Sequence, residues 1–198
     1  MAKRAATTAV AAMLAAGFLA AARPATAAPA AVVLHLTSYE HLPVRDIARA
    51  WQDVVDVYAK IGVHVVWVEG AAAGAPADGA LHLDVILLTA GMADRIRRDV
   101  TAFGLASHVA RRAYIFCTRV FAHASETGSD PSRVLGLVLA HEIGHMLLPE
   151  HSHTVSGLMM AEWAGTIHVI PDFLPAQAAT IRTLLAEPQH AWHTMAAR

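Results

Sequence analysis

The chain has 198 residues, with 15 lysines and arginines against 16 aspartates and glutamates, for a formal net charge of −1. A near-neutral balance without a basic run gives no footing for nucleic acid, a single cysteine excludes an intrachain disulfide, and the length suits one domain with its own core. There are 13 histidines, but only their spacing gives them chemical meaning.

The first residues carry an address. Lys3 and Arg4 precede an alanine-rich apolar run from Ala5 to Ala22, and Ala25-Thr26-Ala27 supplies the small residues after which signal peptidase cuts. Residues 1–27 are expected to be a signal peptide and residues 28–198 one exported domain, secreted or periplasmic. An apolar stretch of about 18 residues nearly spans a bilayer, but its side chains are small and a cleavage site follows, so no stable membrane anchor is expected. Lys3, Arg4 and Arg23 leave with the leader while every acidic residue stays, which makes the remainder more acidic.

Ala31 to Thr37 is apolar and β-branched, and reads as a first strand. From Pro43 a helical period places Ile47, Trp51, Val54, Val55 and Tyr58 on one face, with Arg45, Asp46, Arg49, Asp53 and Asp56 largely elsewhere, and Gly62 ends it. Val63 to Val68 and Leu81 to Thr89 read as the second and third strands, separated by a Gly/Ala/Pro-rich surface loop over Gly70 to Gly79. Strand, helix, strand implies a parallel crossover with the helix on one sheet face. Gly91 to Asp99 suits a short helix or loop. Ala102 to Ala106 leads into a fourth strand, Arg112 to Val120, in which Cys117 is a small buried thiol, and Phe121 to Asp130 is a polar connection. Thr166 to Ile170 is a short extended piece. Pro175 to Glu187 is a final helix with Ala178, Ile181, Leu184 and Leu185 on its core face, and the last ten residues fray.

Between these last elements lies the stretch that carries chemistry. Asp130-Pro131 is an N-cap followed by proline at the first helical position. Val134, Leu135, Leu137, Val138, Leu139 and Ile143 make the helix apolar nearly all round, as suits a helix buried across a domain. On it, His141 and His145 are four residues apart, so their imidazoles lie about 40° apart around the axis and about 6 Å apart along it. Two imidazoles on one face can share a metal ion, and Glu142 can reach a water there; H-E-x-x-H in this setting is a zinc hydrolase motif. A catalytic zinc usually has three protein ligands, and the chain offers His151, His153 and Glu162 for the third.

This stretch resembles the metzincin clan of zinc metallopeptidases, whose pattern is H-E-x-x-H-x-x-G-x-x-H followed by a methionine turn. His141, Glu142, His145 and His151 fall on the ligand and base positions and Met159 on the turn methionine, while Leu148 stands at the glycine position. It is also similar to a group of exported bacterial proteins with a pattern near H-E-I-G-H-L-L-L-P, a histidine–serine pair and G-[IL]-M. There the third histidine aligns with His153, and Ser152-His-Thr154 and Gly157-Leu-Met159 fit. Pro149 would end the helix in place of the glycine, and this later exit favours His153 as third ligand, with His151 the alternative. Glu162 would ligate in a gluzincin-type arrangement, although Ala161-Glu-Trp163 sits on no convincing helix.

The resemblance implies an α+β fold: a zincin-like mixed β-sheet with a backing helix, a central active-site helix and a C-terminal helix. It implies a zinc-dependent metalloendopeptidase acting on peptide or protein substrates, with Glu142 as general base, His141, His145 and a third histidine holding Zn2+, and Met159 as an apolar floor. A catalytically weak zinc-binding module of the cell envelope and a cell-wall peptide amidase are the alternatives. The fourth strand, if it is the edge over the cleft, could pair with an extended peptide. His35, His64 and His82 alternate with apolar residues and belong to a sheet surface. His168 and Tyr114 could hydrogen-bond a developing oxyanion, a role for which spacing supplies no geometry.

Overall fold

The computed structural model describes residues 31–70, 80–96 and 101–187. The expected signal peptide, most of the Gly/Ala/Pro-rich separator and the last ten residues lie outside them.

Among the described residues ten elements follow one another: β1 (Ala31–Ser38), α1 (Val44–Lys60), β2 (His64–Glu69), β3 (Leu81–Leu88), α2 (Ala90–Ile96), β4 (Gly104–Ser107), β5 (Arg112–Phe116), α3 (Cys117–Thr127), α4 (Pro131–Leu147) and α5 (Pro175–Ala186). The strands form one sheet in the order β2-β1-β3-β5-β4. The first four in that order run parallel, and β4 closes the edge antiparallel to β5 with Leu105 opposite Tyr114 and Ser107 opposite Arg112. The fold is therefore α+β with a mixed sheet, and β1–α1–β2 is the expected parallel unit.

Alternation along β1 and β3 sends Val32 and Leu34, with Leu81, Leu83, Val85 and Leu87, into the core that α1 and α4 cover. The other face of these strands is more polar and largely half-buried: His35 and His82 meet at 2.8 Å, and Arg112 bridges Asp84 at 2.8 Å. There α2 covers one end, with Ala93 packed on Leu88 and Phe116.

Two expectations are corrected. The strand expected over Arg112 to Val120 stops at Phe116, and residues 117–127 are helical, so Cys117 lies on α3 and the polar connection is mostly helix. Cys117, Val120 and Ala124 are fully buried at a spacing of three and four, a helical stripe whose start is masked by the apolar run Tyr114 to Cys117. Gly128 ends α3 in the left-handed conformation, φ 67°. Thr166 to Ile170, expected as a short extended piece, belongs to no sheet among the described residues. Its hydrogen bonds go to the end of α3, from Thr166 Oγ1 to the Thr127 carbonyl and from the Ile167 amide to Ser129 Oγ.

The second correction concerns Asp53, which the helical period sets off the apolar face but which is buried against α4. Arg133 of α4 donates to its carboxylate. Burial raises its pKa, against the pull of Arg133. The close approach needs Gly136, where an added Cβ would stand 2.9 Å from Asp53 Cβ and 3.1 Å from the Ala50 carbonyl oxygen. One turn further on, the fully buried Tyr58 donates from its hydroxyl to the Ala140 carbonyl at 3.0 Å, locking α1 to α4 one residue before His141.

Candidate metal centre

The helix α4 begins and ends where its sequence dictates. Asp130 accepts from the Ser132 amide at 2.9 Å and Pro131 opens the first turn. Leu148 caps the other end with an extended backbone, φ −110° and ψ 156°, and its amide donates to the Gly144 carbonyl at 2.9 Å. No glycine is needed at that position. The left-handed residue comes three places later, at His151, φ 61°, and the chain then returns along α4.

That return brings three imidazoles together. Nε2 of His145 lies 3.0 Å from Nε2 of His141 and 2.9 Å from Nε2 of His153, and the third side of the triangle is 3.3 Å. His141 is buried, His145 half-buried and His153 exposed, and the group is one that could hold a metal ion. His151 is exposed at the mouth of the same cleft and outside the triangle, and Glu162 is exposed and outside it too.

The donor set suits a divalent cation. His141 Nδ1 donates to the Leu158 carbonyl at 3.0 Å, which leaves the lone pair on Nε2. Ser152 Oγ lies 3.3 Å from His145 Nδ1. Burial, only partly offset by the Leu158 bond, pulls the His141 pKa down to about 4. Burial and the neighbouring His141 and His153 do the same to His145, also to about 4. His141 thus turns its Nε2 lone pair toward the other two rings, and a cation among the three nitrogens would take one lone pair from each. Their spacing is near the roughly 3.3 Å edge of a tetrahedron built on bonds of about 2.0–2.1 Å.

Around this triangle stands a cleft of about 760 Å³, lined on one side by residues 101–109 and on the other by His141, Glu142, His145, His153 and Trp163. Glu142 is 6% exposed, and its carboxyl packs on Gly104, where an added Cβ would meet Cγ, Cδ and Oε1 at 2.7 Å. Met159 is fully buried beneath α4, its sulfur so close to Gly144 that a Cβ there would stand 2.6 Å away. The strand along the cleft is β4, not the Arg112 strand that the sequence suggested for the edge. Neither His168 nor Tyr114 lines the cleft.

Several contributors were not read from the sequence. Trp163 meets His141 edge-on, centroids 4.8 Å apart, and Phe103 stacks on Trp163 at 6.1 Å. His108, at the end of β4, lies 2.9 Å through Nδ1 from the Met146 carbonyl and ties the cleft wall to the last turn of α4. The Leu158 carbonyl leaves no trace in sequence, because any residue supplies one. Ser152, next to a candidate ligand, carries a signal in hindsight: a short hydroxyl within reach of a neighbouring imidazole.

No family model matches the chain, and no curated protein matches it. Among solved structures it is similar to the solution structure of TM1509 from Thermotoga maritima, at 14% identity over 84% of this chain and 95% of that chain, with a TM-score of 0.37. A likeness that distant does not bear on the site.

Proposed function

We propose that the protein is an exported zinc-dependent metallopeptidase of metzincin type, hydrolysing peptide bonds with Glu142 as general base. The observation that carries this reading is the convergence of His141, His145 and His153 in an open cleft whose wall also holds a buried glutamate. An all-imidazole set selects a borderline cation over the oxygen-seeking magnesium or calcium, and zinc is the commonest that hydrolyses without redox chemistry. When bound, zinc supplies a Lewis acid that polarises a carbonyl and lowers the pKa of water at the site to about 7.

The chain's own groups supply the rest. Glu142 accepts the proton of the attacking water and returns it to the leaving amine, work worth about 10²–10⁴-fold. Leu158 and Ser152 fix the orientation of two of the imidazoles. Trp163 and Phe103 shield the buried side of His141 from bulk water. The outer edge of β4 offers backbone donors and acceptors to an extended substrate, which suits a peptide better than a compact small molecule.

Zinc content of the purified protein and cleavage of an unfolded protein substrate, measured for wild type and Glu142→Gln, test the proposal. Wild type is expected to hold about one zinc per chain and to cleave, and the variant to keep the zinc while losing activity by about 10²-fold or more. Absence of metal from wild type reconstituted with zinc, or equal rates for the two proteins, would overturn it.

A further inference from the structure

The third imidazole differs from the other two in having no helix beneath it. His141 and His145 ride on α4, whereas His153 stands on the irregular segment after Pro149 and is exposed. Something must hold that segment still, since lining up a loop residue with two helix residues costs conformational entropy.

Gln177, on α5, is placed to do this. Its side chain is buried, 8% exposed. Its Oε1 accepts from the Leu174 amide at 3.1 Å, so the carbonyl half of the amide is committed to the N-terminus of its own helix. That fixes which way round the amide sits, because only the NH2 half can face a carbonyl. Nε2 donates to the Ser152 carbonyl at 3.1 Å and reaches Thr154 Oγ1 at 3.5 Å. Both contacts flank His153. The same segment also carries Ser152 Oγ to His145 and the Leu158 carbonyl to His141, so whatever fixes it acts on all three imidazoles.

We infer that Gln177 is a positioning residue of the metal centre, a buried amide that clamps the peptide on either side of His153 and so holds the third imidazole in register with the helix-borne pair. The inference rests on the metal-centre reading above. The role requires an amide. A glutamate of the same shape keeps the acceptor for the Leu174 amide but turns a second oxygen toward the Ser152 carbonyl, where two acceptors repel. Gln177→Glu therefore retains the helix cap and removes the clamp.

The test is a double-mutant cycle on the full chain: Gln177→Glu, His153→Ala and both together, read by zinc affinity in competition with a chromophoric chelator and by the visible spectrum of the cobalt(II)-loaded proteins. Circular dichroism of the metal-free proteins checks folding; should Gln177→Glu not fold, the uncharged Gln177→Met takes its place. The Gln177 variant is expected to bind zinc about 10–100-fold more weakly, with its cobalt spectrum moved toward that of His153→Ala. In the His153→Ala background its effect should be clearly smaller, because the imidazole that both its contacts flank is gone. Wild-type affinity and spectrum in Gln177→Glu, or an equal loss with and without His153, would overturn the inference while leaving the metal centre standing. Failure of wild type to bind zinc or cobalt overturns both.

Discussion

Gly104 and Glu142 touch across the cleft wall, and the absence of one methyl group there decides where the carboxylate can be. Gly104 has no need of a positive φ; its contribution is space, since a Cβ would stand 2.7 Å from three side-chain atoms of Glu142. Gly104→Ala should push the carboxylate off its place while leaving the imidazoles alone. The proposed peptidase activity is then expected to fall by about 10²-fold, the cost of misplacing a reacting group by an ångström, with zinc affinity unchanged. Steady-state kinetics beside zinc titration checks this, and wild-type turnover would show that the carboxylate tolerates the shift. At this scale the spacing of His141, Glu142 and His145 was legible, because four residues on a helix have one geometry. The choice between His151 and His153 was not. It turned on the backbone, extended at Leu148 and left-handed at His151, and side-chain pattern says little about a loop's dihedral angles.

At the scale of elements, α4 is the best-announced part of the chain and α3 the worst. Asp130 caps α4 through the Ser132 amide and hydroxyl, at 2.9 and 2.6 Å, and the Ser132 hydrogen bonds hold its carboxyl below the usual range. Asp130→Ala is expected to cost about 1 kcal/mol, within the usual 0.5–2 for a lost N-cap, measured by urea unfolding of the metal-free protein. A stability equal to wild type would mean that Ser129 or water takes over the cap. The boundary between β5 and α3 was hidden because it falls inside the apolar run Tyr114 to Cys117, and a short apolar run fits both periods. What separates them is the partner: Gly104, the first residue of β4, pairs opposite Ile115, Leu88 at the end of β3 pairs opposite Phe116, and beyond Phe116 no strand among the described residues continues the ladder. The burial of Asp53 was equally hidden, since a carboxylate on a helix reads as solvated until Arg133 and Gly136 are seen opposite.

For the molecule as a whole, the metal-free site is a liability that acid exposes. His141 and His145 have folded pKa values of about 4, below the roughly 6.5 of an unfolded histidine. Between those values the unfolded chain binds more protons than the folded one, so these groups destabilise the fold progressively as pH falls from about 6.5 toward 4 and no further below it. Melting temperature in the presence of a chelator should drop through that window, and more steeply than in His141→Asn/His145→Asn, which lacks both titrating rings. With zinc, melting should lie higher at neutral pH, because a cation that binds only the folded state stabilises it, and the gain should vanish as acid displaces the ion. A chelated melt no steeper than that of the double variant would contradict the assignment.

Local pattern by itself determined the strands β1, β2 and β3, the helices α1, α4 and α5, and the pairing of two histidines with a glutamate on one helix, because each depends on period, cap or spacing within a few residues. Only the tertiary structure decided that β4 is the edge strand, that Asp53 is buried and that His153 rather than His151 joins the triangle. Each of these depends on which segments far apart in sequence come to lie side by side, and Gln177, 24 residues after the histidine whose segment it holds, could be seen in no other way.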